Sequence, residues 1–160
     1  MGNDVNVVGL ISDTHGLLRA EALKALEGSD LIIHAGDVGG PEIIDALQAL
    51  APVVAVRGNT DRGAWADALP MTVATEAGSS AIYVLHDLHQ LDLDPAAAGF
   101  HVVVSGHSHK PARLERSGVL YLNPGSAGPR RFHLPVTVAR LDLRPSSWKV
   151  DFIDLCNQAV

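Results

Sequence analysis

Short apolar runs separated by polar stretches recur along the whole chain and predict a protein rich in buried strands. In the first third these runs cover residues 5–11, 31–35 and 53–56. Between them, apolar residues recur at helical spacing, from Leu18 to Leu26 and from Ile43 to Ala51. This β-α-β-α-β order predicts a parallel sheet with right-handed crossover connections.

Glycine and proline mark the ends of the two predicted helices. Gly28 follows the first helical stretch and is a plausible C-terminal stop. Pro41 with Glu42 behind it is a good helix start, because proline suits the first helical position. Pro52 ends the second helix directly before the third strand.

From residue 71 onward the pattern predicts mainly strands. The apolar runs cover residues 71–76, 81–85, 101–104, 112–116, 119–122, 136–143 and 148–155. Turn sequences of the kind that join antiparallel neighbours lie at Ser117-Gly118 and at residues 144–147. Ten strands are about the limit for one open sheet. We therefore expect an α/β fold in which two mixed β-sheets pack face to face and helices flank them, a four-layer αββα sandwich.

The last predicted strand indicates which side chains are buried, and the single cysteine indicates the cellular compartment. Trp148, Val150 and Phe152 alternate with charged residues, which predicts one buried face. Cys156 lies near this strand and is interpreted as an inert core residue. One cysteine allows no internal disulfide, and no apolar run approaches the ~20 residues that span a bilayer. A cytoplasmic protein with no membrane partner is expected.

Length and charge limit the partners further. The 160 residues are expected to form a single domain, 1–160, and a hydrophobic fraction of 47% excludes a disordered chain. The formal net charge is −6, and no basic run is longer than Arg130-Arg131. A protein that grips nucleic-acid backbones normally has a basic face, so duplex nucleic acid is not an expected partner. The sequence leaves the oligomeric state open and is compatible with a homo-oligomer.

Polar clusters follow five of the apolar runs, where strands are expected to end. They are residues 13–15 (Asp-Thr-His), 36–37 (Gly-Asp), 58–61 (Gly-Asn-Thr-Asp), 86 (His) and 106–109 (Gly-His-Ser-His). Ligand sites in α/β sheets form outside the carboxyl ends of the strands, so these clusters are expected to lie along one edge. Burying so many polar side chains there without a partner would be costly.

The donor atoms in these clusters suit two first-row divalent metals, because they are oxygens and nitrogens without a cysteine. The candidate ligands are Asp13, His15, Asp37, Asn59, His86, His107 and His109. Two metals about 3.5–4 Å apart require a bridging carboxylate, and Asp37 beside Gly36 is the candidate. Asp13 and His15 are expected to point the same way if their segment stays extended.

The other histidines are interpreted as structural. His34 lies inside a predicted strand and is expected to be a satisfied core residue or a partner that supports a ligand. His89, His101 and His133 are interpreted as surface or loop residues.

This ordered set of clusters, followed by the Asn-Pro-Gly-Ser turn at residues 123–126, resembles the small metallophosphoesterases of the calcineurin-like superfamily. It is most similar to their compact bacterial and archaeal phosphodiesterase branch, which includes the retromer scaffold subunit. The resemblance extends from residue 5 to about residue 143. It implies an αββα sandwich with a dinuclear centre, often filled by manganese, with iron, nickel or zinc as alternatives. It also implies one metal on Asp13, His15, Asp37 and His109, and another on Asp37, Asn59, His86 and His107.

Two positions depart from the pattern of this family. Much of the branch has His-Gly-His where this chain has His86-Asp87-Leu88-His89, so His89 is left unassigned. Many larger members have a histidine in the third cluster that is thought to protonate the leaving group. Thr60 occupies that position here, which leaves the general acid open.

The expected function is metal-dependent hydrolysis of a small phosphoester, with phosphodiesters favoured, by a dinuclear centre that activates a bridging water. Asp61 is a candidate for proton transfer, and a turn-stabilising role is an equal alternative. Asn59, Arg62 and Arg130 are candidate substrate contacts, since arginine matches phosphate oxygens in a bidentate manner.

Two other classes of function are alternatives. One is a metal-binding scaffold of the same fold that serves protein interactions, although a pure scaffold has no need of seven metal ligands. The other is a redox metalloprotein, which the absence of cysteine ligands disfavours.

Overall fold

The computed structural model describes residues 4–156, in which strands dominate. The strands are β1 (Val7–Ile11), β2 (Leu31–His34), β3 (Val53–Ala55), β4 (Thr72–Ala77), β5 (Ser80–Leu85), β6 (Val102–Val104), β7 (Pro111–Arg116), β8 (Val119–Pro124), β9 (Thr137–Asp142) and β10 (Lys149–Asp154). The helices are α1 (Ala20–Leu26), α2 (Pro41–Gln48) and α3 (Ala64–Asp67), with one turn of 3-10 helix at Leu88–Gln90. All ten predicted strands are present, and each strand end lies within two residues of its predicted position. The pattern predicted neither α3 nor the 3-10 turn.

The first sheet has the strand order β10-β9-β1-β2-β3. Its strands β1, β2 and β3 are parallel, as the β-α-β-α-β pattern predicted, and β9 and β10 are antiparallel additions at one side. Helices α1 and α2 cover its outer face, where residues such as Ile11, Leu26, Ile32 and Leu47 form a buried apolar layer.

The second sheet has the order β4-β5-β6-β8-β7. Strands β5, β6 and β8 are parallel, whereas the edge strands β4 and β7 are antiparallel to their neighbours. The turn between β7 and β8 places Ser117 and Gly118 at φ angles of 53° and 77°, the left-handed geometry of a tight hairpin.

The main core lies between the two sheets and includes Val8, Leu10, Ile33, Val84 and Leu122. The outer face of the second sheet carries a smaller cluster around Tyr83 and Val103, which residues of the 91–100 segment cover. The predicted αββα sandwich of two mixed sheets is therefore confirmed, with a thinner outer layer on the second sheet.

Two expectations for the end of the chain are wrong. Phe152 is 38% exposed, because β10 is an edge strand and only Trp148 and Val150 of that face pack against the core between the sheets. Cys156 is exposed rather than buried, because it follows β10, and the preceding residue, Leu155, packs into the apolar layer instead. Within residues 4–156 no helix has the length and apolar character needed to cross a membrane.

Candidate metal centre

The predicted ligands lie where strands of both sheets end. Asp13 and His15 follow β1, Asp37 follows β2 and Asn59 follows β3, all in the first sheet. From the second sheet, His86 follows β5 directly, and residues 107–109 follow β6. Because the parallel strands of the two sheets end on the same side of the sandwich, residues almost a hundred positions apart in sequence come into contact.

Asp13 lies at the middle of this group. Its carboxylate is fully buried, and its Oδ2 atom accepts hydrogen bonds from Ser12 Oγ at 2.7 Å and from the backbone N–H of His107 at 3.1 Å. Its Oδ1 atom has no hydrogen-bond donor, yet it lies 3.4 Å from Nε2 of His109, 3.8 Å from Nε2 of His15 and 3.9 Å from Nε2 of His86. A buried carboxylate oxygen without a donor is costly, and a cation between these atoms removes that cost.

Asp37 lies between histidines of different clusters. Its Oδ1 atom accepts the backbone N–H of Thr60 at 2.9 Å, while Oδ2 lies 3.2 Å from His86 Nε2 and 3.7 Å from His15 Nε2. Burial acts to raise the pKa of Asp37, but the hydrogen bonds from His86 and Thr60 outweigh it and hold the pKa well below its ordinary value. The side chain is therefore a carboxylate at neutral pH.

The ring of His86 is oriented by a backbone carbonyl. Its Nδ1–H donates to the carbonyl oxygen of Ala35 at 2.7 Å, so the lone pair of the neutral ring is on Nε2. That atom faces two oxygens, Asp37 Oδ2 at 3.2 Å and Asn59 Oδ1 at 3.0 Å. Burial acts to lower the pKa of His86, but in the protonated ring Nε2–H donates to Asp37, and this raises the pKa overall. In the neutral ring, His86 Nε2, Asp37 Oδ2 and Asn59 Oδ1 are all acceptors, and a cation shared by the three would suit them. A backbone carbonyl on the other ring nitrogen is typical of metal-binding histidines.

His15, His109 and His107 differ in how closely they approach the carboxylates. The rings of His15 and His109 lie 5.5 Å apart, and both rings have a buried nitrogen without a hydrogen-bond partner. His107 is 45% exposed, with its ring 5.2 Å from that of His86 and its Nε2 atom 3.9 Å from Asp87. The structure thus brings six of the seven predicted ligands together and leaves His107 at the edge of the group.

The backbone at the ligands is unusual. Of the seven non-glycine residues with positive φ among residues 4–156, five are predicted ligands: Asp13, His15, Asp37, His107 and His109. Residues in this left-handed region are uncommon and cost free energy, and they concentrate at functional sites. The expectation that Asp13 and His15 converge through an extended segment is therefore wrong. They converge because the chain turns back at both residues, where hydrogen bonds from His15 N–H to Asp37 O and from Gly16 N–H to Val38 O hold it.

Two glycines permit the close approach of these loops. A side chain at Gly58 would collide with the backbone and carboxylate of Asp37, and one at Gly106 would collide with Ser12 and Asp13. Each glycine therefore lets a neighbouring loop reach a carboxylate.

The structure separates the three remaining candidates from the metal ligands. Asp61 is buried and accepts backbone N–H groups from Val38, Gly39 and Gly58 at 2.9–3.2 Å, which favours the turn-stabilising alternative over proton transfer. Arg62 and Arg130 are exposed, and no ion pair of either is found in the part of the chain that the structure describes.

Several supporting residues were missed by the sequence analysis or only partly foreseen. Neutral His34 is fully buried: its Nδ1 atom accepts the Gly36 N–H at 3.1 Å, and its Nε2–H donates to Thr14 Oγ1 at 3.0 Å. The Thr14 hydroxyl donates in turn to Val38 O at 2.7 Å. His34 thus supports the loop between Asp13 and His15, as one of its two interpretations foresaw. Thr14 and Ser12 were missed, although both are hydroxyl residues that flank Asp13.

The atoms at this centre form two groups that fit a metal. Asp13, His15 and His109 offer one set of ligand atoms within 4.8 Å of one another, and Asp13, Asp37 and His86 offer another. Oxygen and imidazole donors suit first-row divalent metals.

Comparison with known proteins also indicates a metal-binding protein. The profile described as "Calcineurin-like phosphoesterase superfamily domain" matches residues 7–146. A probable metallophosphoesterase of Methanothermobacter thermautotrophicus is 36% identical over 149 residues, covering 85% of this chain and 86% of its own. A phosphodiesterase of Methanocaldococcus jannaschii is 27% identical over 136 residues, covering 74% of this chain and 82% of its own.

Among solved structures, Vacuolar Protein Sorting 29 from Cryptosporidium parvum matches with a TM-score of 0.71 at 21% identity, over 94% of this chain and 97% of that one. At that identity the match concerns the fold alone. The profile match over most of the sequence decides the family. The chain belongs to the calcineurin-like phosphoesterase superfamily and is a metal-binding phosphoesterase.

Proposed function

We propose that the protein is a dinuclear metallophosphodiesterase. Asp13, His15 and His109, with Asp37, form its first metal position; Asn59, His86 and His107, with Asp37, form its second. The observation that carries the proposal is the cluster of acceptors around Asp13 Oδ1 and Asp37 Oδ2, which face three histidine Nε2 atoms at 3.2–3.9 Å. Asp37 is the bridging residue, because its Oδ2 atom lies between His15 of the first position and His86 of the second.

Two divalent metals, manganese in this proposal, would supply Lewis-acid polarisation of the phosphoryl oxygens and an activated water. The chain's own contribution is positioning. The carbonyl of Ala35 orients His86, and the Thr60 N–H orients Asp37. Asn59 is a proposed neutral ligand and a proposed contact for a phosphate oxygen. The exposed Arg62 and Arg130 are proposed contacts for the outer oxygens.

The charge of the centre favours a diester. With two dications and one hydroxide bound, the carboxylates of Asp13 and Asp37 would leave a net charge of about +1, which would complement a phosphodiester monoanion better than a phosphomonoester dianion. No lysine or arginine is among the proposed ligands, so a monoester would find its second charge balanced only by exposed side chains.

A combined metal and activity measurement tests the proposal. The purified protein is expected to contain two metals per chain after manganese loading, and to hydrolyse an aryl phosphodiester faster than the corresponding aryl monoester. A chelator should abolish both activities, and manganese should restore them. Binding of fewer than two metals, or a preference for the monoester, would contradict the dinuclear or the diester part respectively.

A second candidate function is a metal-binding scaffold of the same fold that serves protein interactions; Vacuolar Protein Sorting 29 shares this fold. The same measurement separates the two candidates: a scaffold would bind metal but hydrolyse neither ester.

A further inference from the structure

A cavity of about 220 Å³ opens beside the second metal position, on the outer face of the second sheet. Its floor is formed by the paired strands β7 and β8, where Leu114 lies opposite Tyr121. The loop that carries His107 forms one wall, and Leu88 of the 3-10 turn contributes to another. His107 therefore belongs both to the proposed metal ligands and to the wall of this cavity.

The cavity offers apolar contact rather than hydrogen bonds. Leu114 is 50% exposed and Leu88 is 39% exposed, although both belong to residue types that a fold normally buries. The Asn123 amide in the wall is already satisfied: Nδ2 donates to Gly106 O at 2.9 Å and to Ser108 Oγ at 3.0 Å, and Oδ1 accepts the Gly125 N–H at 2.9 Å. A ligand here would gain mainly by covering apolar surface.

The charge of the walls disfavours an anion. No lysine or arginine lines the cavity within the described range 4–156, and its one carboxylate, Asp87, accepts from the backbone N–H of His89 at 3.0 Å. A second phosphate would meet this carboxylate with only the imidazoles of His89 and His107 beside it.

We propose that this cavity binds the leaving group of the phosphoester, and that this group is an uncharged aromatic alcohol. The inference rests on the proposed function, because His107 is both a proposed ligand of the second metal position and part of the wall of this cavity, so the cavity adjoins the place where the ester would be held. The volume is sufficient, since a cavity of about 150 Å³ lined by apolar residues accommodates benzene. A nucleoside 5′-phosphate or another anionic leaving group is disfavoured by the same walls.

The test compares two methyl phosphodiesters whose leaving groups have matched pKa values, a substituted phenol and a fluorinated aliphatic alcohol. Because the pKa values of the leaving groups are matched, the two esters have similar intrinsic reactivity. A faster reaction of the phenyl ester therefore reports binding of the ring in the cavity. The manganese-loaded full chain is expected to show a kcat/KM at least about tenfold higher for the phenyl ester, the size of effect that an apolar pocket gives. Leu114→Asp should reduce this ratio to near one, and Phe152→Asp, at an exposed apolar residue of the other sheet, should retain it.

A binding measurement gives an independent readout. Methyl resonances of Leu88 and Leu114 should shift on addition of 2-naphthol in the wild type, and the shift at Leu88 should be lost in Leu114→Asp. If both esters are hydrolysed equally, or if Leu114→Asp keeps the wild-type ratio, this inference is wrong while the proposed function stands. If neither ester is hydrolysed by the metal-loaded protein, the proposed function fails and this inference fails with it.

Discussion

The two proposed metal positions differ in how completely the folded chain assembles them. At the first, Asp13 and His109 are buried, and a set of ligand atoms from Asp13, His15 and His109 already lies within 4.8 Å. At the second, His86 and Asn59 are in contact, but His107 is 45% exposed, with its ring 5.2 Å from that of His86. A preorganised site loses less conformational entropy on binding, so the first position should bind metal more tightly. We therefore expect His107 to be the least firmly placed ligand of the second position.

The largest effect is expected where the two positions share a ligand. Asp37→Asn should lower kcat by roughly 10³-fold or more, because it weakens several kcal/mol of metal-dependent stabilisation at both positions. Metal analysis should show reduced occupancy at both. Asp45→Asn, at an exposed aspartate of α2, is the matched control and should behave as the wild type. If Asp37→Asn binds two metals at wild-type affinity, Asp37 is not the bridge.

Single-position variants should separate the two halves. His86→Phe should empty the second position and leave the first occupied, with activity reduced by about 10²–10³-fold. His109→Phe should do the reverse. Both variants should unfold cooperatively, since strand-end side chains contribute little to the core between the sheets. If a manganese titration of His86→Phe still fits two equivalent metal sites, the assignment of His86 to a separate second position is wrong.

A smaller change is expected at His107. His107→Ala should weaken manganese binding at the second position by about 10–100-fold, a smaller loss than for His86, because the ring of His107 is 45% exposed and less firmly placed. Isothermal titration should therefore rank the losses His86→Phe above His107→Ala, with the first position unaffected in both. Equal losses would show that His107 is as firmly placed as His86, against the exposure of its ring.

Thr60, which follows the proposed ligand Asn59 of the second position, bears on how the leaving group is protonated. A threonine hydroxyl is too weak an acid to protonate a leaving group near neutral pH, and general acid catalysis contributes ~10²–10⁴-fold where it operates. Rates should therefore fall steeply with rising leaving-group pKa across substituted phenyl esters. Thr60→His should flatten this slope and raise the rate for poor leaving groups about tenfold. A flat slope in the wild type would reveal a proton donor elsewhere.

An effect on stability rather than on activity is expected for the loop at the first position. Burial lowers the pKa of His34 to about 4 from an ordinary value of 6.5. The folded state then binds fewer protons than the unfolded state between these values, so His34 contributes stability above pH 6.5 that is lost as the pH falls toward 4. In the presence of a chelator, the free energy of unfolding should fall by a few kcal/mol across this window.

His34→Gln isolates this contribution, because it removes the titrating ring. Urea denaturation should show a weaker pH dependence in the variant between pH 6.5 and 4. The lowered pKa values of Asp13 and Asp37 act below this window, and the raised pKa of His86 acts above it with the opposite sign. Parallel curves for wild type and variant would contradict the assignment.

Much of the architecture is readable from local pattern. The strand bounds follow from apolar runs and from turn signals such as Ser117-Gly118, because burial of a strand requires only a short apolar segment. The residues that meet at the metal centre are also readable, since a polar residue after a parallel strand lies at the same edge as its counterparts. The burial expected for Phe152 and Cys156 is wrong, because both lie in or just after the edge strand β10, where no other element of residues 4–156 covers them.

Other features depend on contacts between segments far apart in the chain. The left-handed turns at Asp13 and His15 exist because the loop after β2 supplies their hydrogen bonds. Asp61 has a structural role because it accepts two N–H groups from that loop as well as one from its own turn. The apolar cavity beside His107 arises because the outer face of the second sheet has a thinner cover than the helix-covered first sheet. A local pattern records which side chains are apolar or polar, whereas these features are set by which distant backbone groups need a partner and which surfaces remain uncovered.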